Sequence, residues 1–268
     1  MYFKQRANDY LEVRGGVTQL ELGLSVSAWF FVEDTAAHNV WFQGINSAGN
    51  PYLGLSLSNN TAGAVNAVSN AAAVERNSVT STRYRTNYWH HAMAVFESTT
   101  SRWSTLDGGG RGSDTNSSAP TGMNTMSIGA LRINSGTISG PMRGSLSDIV
   151  VWRKALLDHQ VELLATGMPP WMIEPKDIIG FWTLEQKGAR QLNLLGPHWP
   201  MEANLGGVPQ LSQRCPRLKY SARDAEDFFS NVISTYKDNL RFFLPPPNPA
   251  TSVLDEDSEL LYVPRLIW

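Results

Sequence analysis

The residues with chemistry to offer are few, and their spacing does not favour a reaction. Hydrolysis of a glycosidic bond takes two carboxylates, one as acid and one as base or nucleophile. The densest acidic group, Asp255 to Glu259, follows a proline run and reads as a solvated spacer. His90 and His91 are adjacent, so on a strand they point to opposite faces and cannot chelate one ion together, while His38, His159 and His198 are isolated. No spacing nominates a Ser-His-Asp or Cys-His arrangement. Cys215 is the only cysteine, which excludes an internal disulfide and a cysteine-based zinc site and leaves a small buried apolar residue as its default role. Oxygen donors for calcium are available on two loops, Asp107, Asp114 and Asn116 on one and Asp34 and Asn39 on the other, although loop Asp and Asn more often shape turns. No other cofactor is expected. Trp41, Tyr52 and Trp103 are the candidates for stacking on the apolar face of a sugar ring, with packing inside the protein the alternative for each.

A β scaffold must position these groups. Of 268 residues, 42% are hydrophobic and only 17% charged, below the roughly 25% charged fraction of ordinary globular domains. The surplus is Ser, Thr, Asn, Gly and Ala, which suits strands joined by many turns. With a formal net charge of -2 and no dense Lys/Arg run, a nucleic-acid partner is set aside. Met1 to Arg6 carries no apolar signal region, and no stretch approaches the ~20 apolar residues of a membrane span. The expectation is a protein made and kept in a cytoplasm, or released by lysis, with no membrane partner.

From residue 9 to about 186 the apolar pattern has period two, broken by Gly, Asn, Ser and Pro. Leu24 to Val32 alternates Leu24, Val26, Ala28, Phe30 and Val32 on a core face with Ser25, Ser27 and Trp29 opposite. Further runs at Leu53–Ser58, Trp89–Phe96, Arg102–Leu106, Met126–Ala130 and Gly144–Trp152 predict two packed antiparallel sheets. One short helix interrupts them, with Asp158 as N-cap, a stripe of Val161, Leu164 and Ala165, and Gly167 before Pro169–Pro170 as the stop. Residues 187–220 show no clean period and predict an irregular connector.

Four phrases, Asn8–Val13, Leu24–Phe31, Trp89–Val95 and Ser127–Ala130 continued by Arg143–Leu156, resemble laminin-G-like domains of the concanavalin A-like lectin/glucanase superfamily. The resemblance spans about residues 8 to 167. It implies an all-β jelly roll, a two-sheet sandwich over residues 1–186. Phe181-Trp182-Thr183-Leu184-Glu185 is similar to a strand that often opens the family's domain, yet here it comes last, which implies a circular permutation and a closing strand beside the amino-terminal one. Glucanases of the superfamily carry closely spaced carboxylates on one strand, and no strand here has an E-x-D-x-x-E pattern. The expectation is therefore no catalysis; a divergent glycoside hydrolase would require two carboxylates about 5–10 Å apart in a cleft.

Beyond residue 220 the period changes to 3.6. Ala225, Phe228, Phe229, Val232, Ile233, Tyr236, Leu240 and Phe243 form an apolar stripe on a predicted helix over 222–243, with Ser221 and Asp224 resembling a capping box. Leu244 to Pro249 cannot continue it, and an acidic spacer leads to the apolar tip Leu260–Trp268. Residues 221–268 thus read as a helix plus extended docking tail, with Phe228, Phe229, Val232, Tyr236, Leu260, Leu261, Tyr262, Leu266, Ile267 and Trp268 as anchors on a partner. A lectin-like sandwich without signal peptide or catalytic set, carrying a docking tail, points to a virion structural protein of the phage capsid-decoration or tail/fibre kind. Its partners would be other virion proteins or copies of itself, and host-surface glycans. A soluble carbohydrate-binding lectin is the alternative.

Overall fold

In a computed structural model, residues 1–4, 10–13, 20–33, 40–46, 51–58, 61–133, 137–184, 190–191, 193–194 and 201–203 are described. The chain divides into two units, Met1–Phe228 and Phe229–Trp268, and all of these residues lie in the first. The first strands are β1 (Tyr2–Lys4), β2 (Leu11–Val13), β3 (Leu24–Phe31), β4 (Val40–Ile45), β5 (Tyr52–Leu57), β6 (Val65–Ala71), β7 (Val74–Val79), β8 (Trp89–Ser98), β9 (Ser101–Leu106) and β10 (Gly109–Asp114). They are followed by β11 (Thr125–Ile128), β12 (Leu131–Ile133), β13 (Thr137–Ser139), β14 (Arg143–Trp152), helix α1 (Asp158–Ala165), β15 (Ile178–Trp182), β16 (Arg190–Gln191) and β17 (Met201–Ala203).

Two antiparallel sheets form the sandwich. One has the order β1-β14-β3-β8-β9-β10 with β15 also on β14; the other runs β16-β17-β2-β11-β4-β5-β6-β7. The period-two runs explain the core. Leu24, Val26, Ala28 and Phe30 of β3 and Ala92, Ala94 and Phe96 of β8 meet Leu53, Leu55 and Leu57 of β5 and Met126 and Ile128 of β11 in one cluster. β1 pairs with residues 143–145 of β14 and β15 with residues 149–152, while β3 runs along the other edge, so β1 and β15 lie end to end beside β14. Trp182 and Leu184 thereby enter the core. Gly144 shows why the turn into β14 needs glycine: at φ +136°, a Cβ there would sit 2.1 Å from the Phe31 carbonyl oxygen.

Ser25, Ser27 and Trp29, on the other face of β3, are buried like their neighbours, and two expectations further along the chain are corrected. The segment after β14 covers this second face, with Ser25 Oγ donating to the Lys154 carbonyl at 2.6 Å and Trp152 Nε1 to that of Ile173 at 2.9 Å. The α1 stripe Val161, Leu164 and Ala165 is buried as the sequence implies, but Leu157 is the N-cap, its N–H donating to Gln160 Oε1 at 2.9 Å. Asp158 is the first helical residue and accepts from Arg111 at 2.6 Å instead. Within 187–220, expected to be irregular, β16 and β17 extend the eight-stranded sheet beyond β2. The predicted 222–243 helix, the tail and Cys215 lie outside the described residues.

Candidate functional site

The three aromatics chosen for sugar stacking are all inside the protein. Trp41 is fully buried and stacks on Phe30 with ring centroids 4.1 Å apart. A register shift between Val40 and Phe42 brings both Trp41 and Phe42 into the core cluster, which strict alternation would not do. Trp103 lies under the Arg111 guanidinium, 4.2 Å from the ring centroid, and its Nε1 donates to Glu97 Oε1 at 2.9 Å. Tyr52 is buried with Ile45 and Val68. None of the three offers a bare ring to a ligand. The docking anchors Phe228, Phe229, Val232, Tyr236, Leu260, Leu261, Tyr262, Leu266, Ile267 and Trp268, and the loop donors Asp34 and Asn39, lie outside the described residues.

The other calcium candidates are engaged within the chain. Asp107 Oδ2 is 2.7 Å from His90 Nδ1, and its Oδ1 accepts the His91 N–H at 2.9 Å. Asp114 pairs with Arg102, and its Oδ1 accepts from Asn116 N at 3.0 Å and Nδ2 at 2.6 Å. The Arg102 Nη2 group donates in addition to the carbonyls of Thr99, at 3.3 Å, and Asn116. Among the described residues no group of three or more His, Cys, Asp or Glu is placed to hold a metal ion.

His90 and His91 separate to opposite faces. His90 contacts the rings of Phe30 and Tyr84, whereas His91 meets Trp29 at 5.3 Å between centroids. The His91 Nδ1 is buried without a partner. Burial lowers this imidazole's pKa to about 4, against an opposing pull from Asp107. The unfolded chain binds a proton near the ordinary histidine pKa of about 6.5, while the folded chain refuses it until about 4. Stability is therefore lost as pH falls across that window, by up to roughly 1.4 kcal/mol per pH unit. Melting curves of the wild type and His91→Gln between pH 7 and 4.5 should converge as the pH drops; parallel curves would contradict this.

The structure assembles a polar row that the sequence reading missed. It lies on the outer face of the eight-stranded sheet, where β5, β6 and β7 present Tyr52, Asn66, Val68, Asn70, Glu75 and Asn77. The Tyr52 hydroxyl donates to Glu75 Oε2 at 2.6 Å, and Asn77 Nδ2 donates to Glu75 Oε1 at 2.9 Å. Asn66 Nδ2 in turn donates to Asn77 Oδ1. Burial, reinforced by the Glu75 hydrogen bond, pushes the Tyr52 hydroxyl well above its ordinary pKa, while a hydrogen bond from Asn70 works the other way. Tyr52 therefore serves as a neutral donor. The available signal was the alternation on β6 of Asn66 and Asn70 with the apolar Val65, Ala67 and Ala71.

Sheet order and filled core define a lectin-type sandwich. The chain belongs to the concanavalin A-like lectin/glucanases superfamily, within which a laminin-G family matches residues 5–162. No functionally curated protein matches it. Among solved structures, a candidate carbohydrate-binding protein from Bacteroides ovatus superposes with a TM-score of 0.52 at 14% identity, covering 79% of this chain and 59% of that one. A heptameric pentraxin from Limulus polyphemus gives 0.49 at 17%, over 63% of this chain and 83% of that one. Domains LG4-5 of the mouse laminin α1 chain give 0.45 at 17%, over 58% and 41%. At these identities the likeness concerns the fold.

Proposed function

We propose that this chain is a non-enzymatic virion structural protein, a capsid-decoration or tail/fibre-associated subunit. It docks on neighbouring subunits through residues 221–268 and displays the lectin-like sandwich outward. One observation carries the reading: the core cluster of the described residues is assembled between Met1 and Leu184, with β15 supplying its closing strand. On this reading the apolar anchors of residues 221–268 serve another chain, either a different virion protein or a second copy. The position of β15 beside β1 supports a circularly permuted strand order on the same reading. Neither a nucleic acid nor a membrane is a partner; among the described residues no helix is long and apolar enough to cross one.

Deleting residues 245–268 tests this. The shortened chain should keep a cooperative melting transition within a few degrees of the full chain's. The fraction sedimenting with assembled particles, or as a self-assembly, should fall at least tenfold. Unfolding of the shortened chain would make the tail part of the core, and unchanged sedimentation would remove the docking role.

A carbohydrate-binding module, with host-surface glycans as ligand, is the second reading. It is favoured by the polar row on β5–β7 and by the likeness to the Bacteroides ovatus protein.

A further inference from the structure

We propose that an aromatic row on the outer face of the seven-stranded sheet, Tyr2, Phe31 and Trp89, is the surface on which the proline run of residues 244–249 of a second copy docks, joining copies head to tail. This rests on the docking reading of residues 221–268 and names its partner and its surface.

Strand register builds the row. Tyr2 of β1 stands opposite Ser145 of β14, Ser145 opposite Phe31 of β3, and Phe31 opposite Trp89 of β8. Residues directly opposite one another share a face. Phe3 and Phe30, their neighbours in the chain, belong to the core cluster, so the row lies on the outer face. One step along the strands, the row Ser147, Trp29 and His91 is buried. At Tyr2, Phe31 and Trp89 the cover is incomplete, and all three are half-buried. The Tyr2 hydroxyl donates to Glu33 Oε1 at 3.1 Å, so its ring reaches across β14 toward the end of β3. The Phe31 and Trp89 rings lie 5.9 Å apart between centroids and tilt 53° to each other, which makes a wedge rather than a flat stack. Ser145, buried between Tyr2 and Phe31, forms a small floor.

Aromatic rings spaced along a shallow surface suit a polyproline segment, whose backbone is already extended and loses little freedom on binding. The row crosses three strand spacings, about 14 Å, and six residues in polyproline conformation span about 19 Å. Charge sets the direction of the crossing. Two residues from Tyr2 and Ser145, on the same face, Lys4 stands opposite Arg143, and both are exposed. These cations lie about 7 Å along the strands from the row. The acidic residues 255–259 follow the proline run after residues 250–254, a link that reaches up to about 17 Å when extended. A tail whose prolines cross the rings can therefore set its carboxylates against Lys4 and Arg143. A sugar suits the surface less well, because the polar groups beside the rings are engaged with one another: Glu33 takes the Tyr2 hydroxyl and lies 3.4 Å from Arg143 Nε. Surface and segment are different parts of the chain, so the contact is heterologous and assembly continues past a dimer into a ring or filament.

The test is sedimentation velocity of the full chain over a range of concentrations. Species larger than a dimer should grow with concentration and weaken as salt is raised. Trp89→Ser and, separately, the triple variant Pro245→Ser/Pro246→Ser/Pro247→Ser should each raise the dissociation constant at least tenfold, the scale of losing an interface anchor. The proline variant leaves the sandwich sequence intact and should melt with the wild type, and Tyr2→Ser is the second variant of the row should Trp89→Ser fail to fold. A mixture of a folded row variant with the proline variant should form a heterodimer and nothing larger, because each supplies the half that the other lacks. A monomeric full chain, self-association that survives the proline variant, or no heterodimer from two folded variants would overturn the proposal. So would a row variant that loses binding to an oligosaccharide while assembling as before, which would make the row a sugar platform. If deleting residues 245–268 abolishes an assembly that the row and proline variants leave untouched, this surface falls and docking stands; if the deletion leaves assembly untouched, both fall.

Discussion

Trp182→Ala is expected to destabilise the protein by about 3–5 kcal/mol, read as a shift in the urea midpoint at unchanged slope. Trp182 is fully buried in the core cluster, although it arrives on β15, after the helical segment that covers the opposite face of the sheet. Its ring occupies the space over Gly180, where an added Cβ would lie 2.3 Å from the indole. Alanine at 182 leaves an indole-sized void that surrounding strands, hydrogen-bonded on both sides, cannot collapse to fill. Gly180→Ala should be destabilising for the complementary reason, by forcing that indole out of place. A loss below about 1 kcal/mol for Trp182→Ala would show that residues 178–182 merely lie against the sandwich.

Asp114→Ala is expected to cost a similar amount, about 3–5 kcal/mol. Arg102 is 2% exposed, and Asp114 is its only described carboxylate partner. Removing that partner leaves a guanidinium among backbone carbonyls, with its charge uncompensated. The double variant Arg102→Met/Asp114→Leu should recover most of the loss, since a buried ion pair is worth little more than well-packed apolar groups of its size. A double variant as unstable as the single one would contradict this. Burial, the largest single influence, pushes the Asp114 carboxyl upward. The Asn116 backbone N–H, Arg102 and the Asn116 amide together outweigh it and hold the group below its ordinary value of 3.8. The associated stability is complete above that value and lost as pH falls through the depressed pKa. Acid unfolding of Asp114→Ala should therefore lack this contribution.

The β3, β8 and β14 runs were legible because one face of each strand is pure core, and two-residue periodicity records that directly. The β6–β7 hairpin was not. Its two-residue turn is Ala72-Ala73, both at positive φ, 51° and 61°, where Asn-Gly would have announced a turn. Without the hairpin there was no reason to place Asn66, Asn70, Glu75 and Asn77 on one surface. The face of Trp41 could not be read for a related reason: a bulge beside it breaks the alternation that would have told its two faces apart. Asp158 looked like a helix cap because its type favours one, yet Arg111, 47 residues away, takes its carboxylate.

By itself the sequence determined the class of fold, the apolar faces of the long strands and the short helix after β14, because each depends on residues within a few positions of one another. It also determined that the single cysteine could neither staple the chain nor anchor a cysteine-based zinc site. Only the tertiary structure decided which second faces are covered, where Trp182 comes to rest, and which way the Asn66 and Asn70 amides point. Those outcomes depend on partners many residues distant, and a hydrogen bond acquires its direction from the carboxylate at the end of the chain of donors rather than from the strand that carries it.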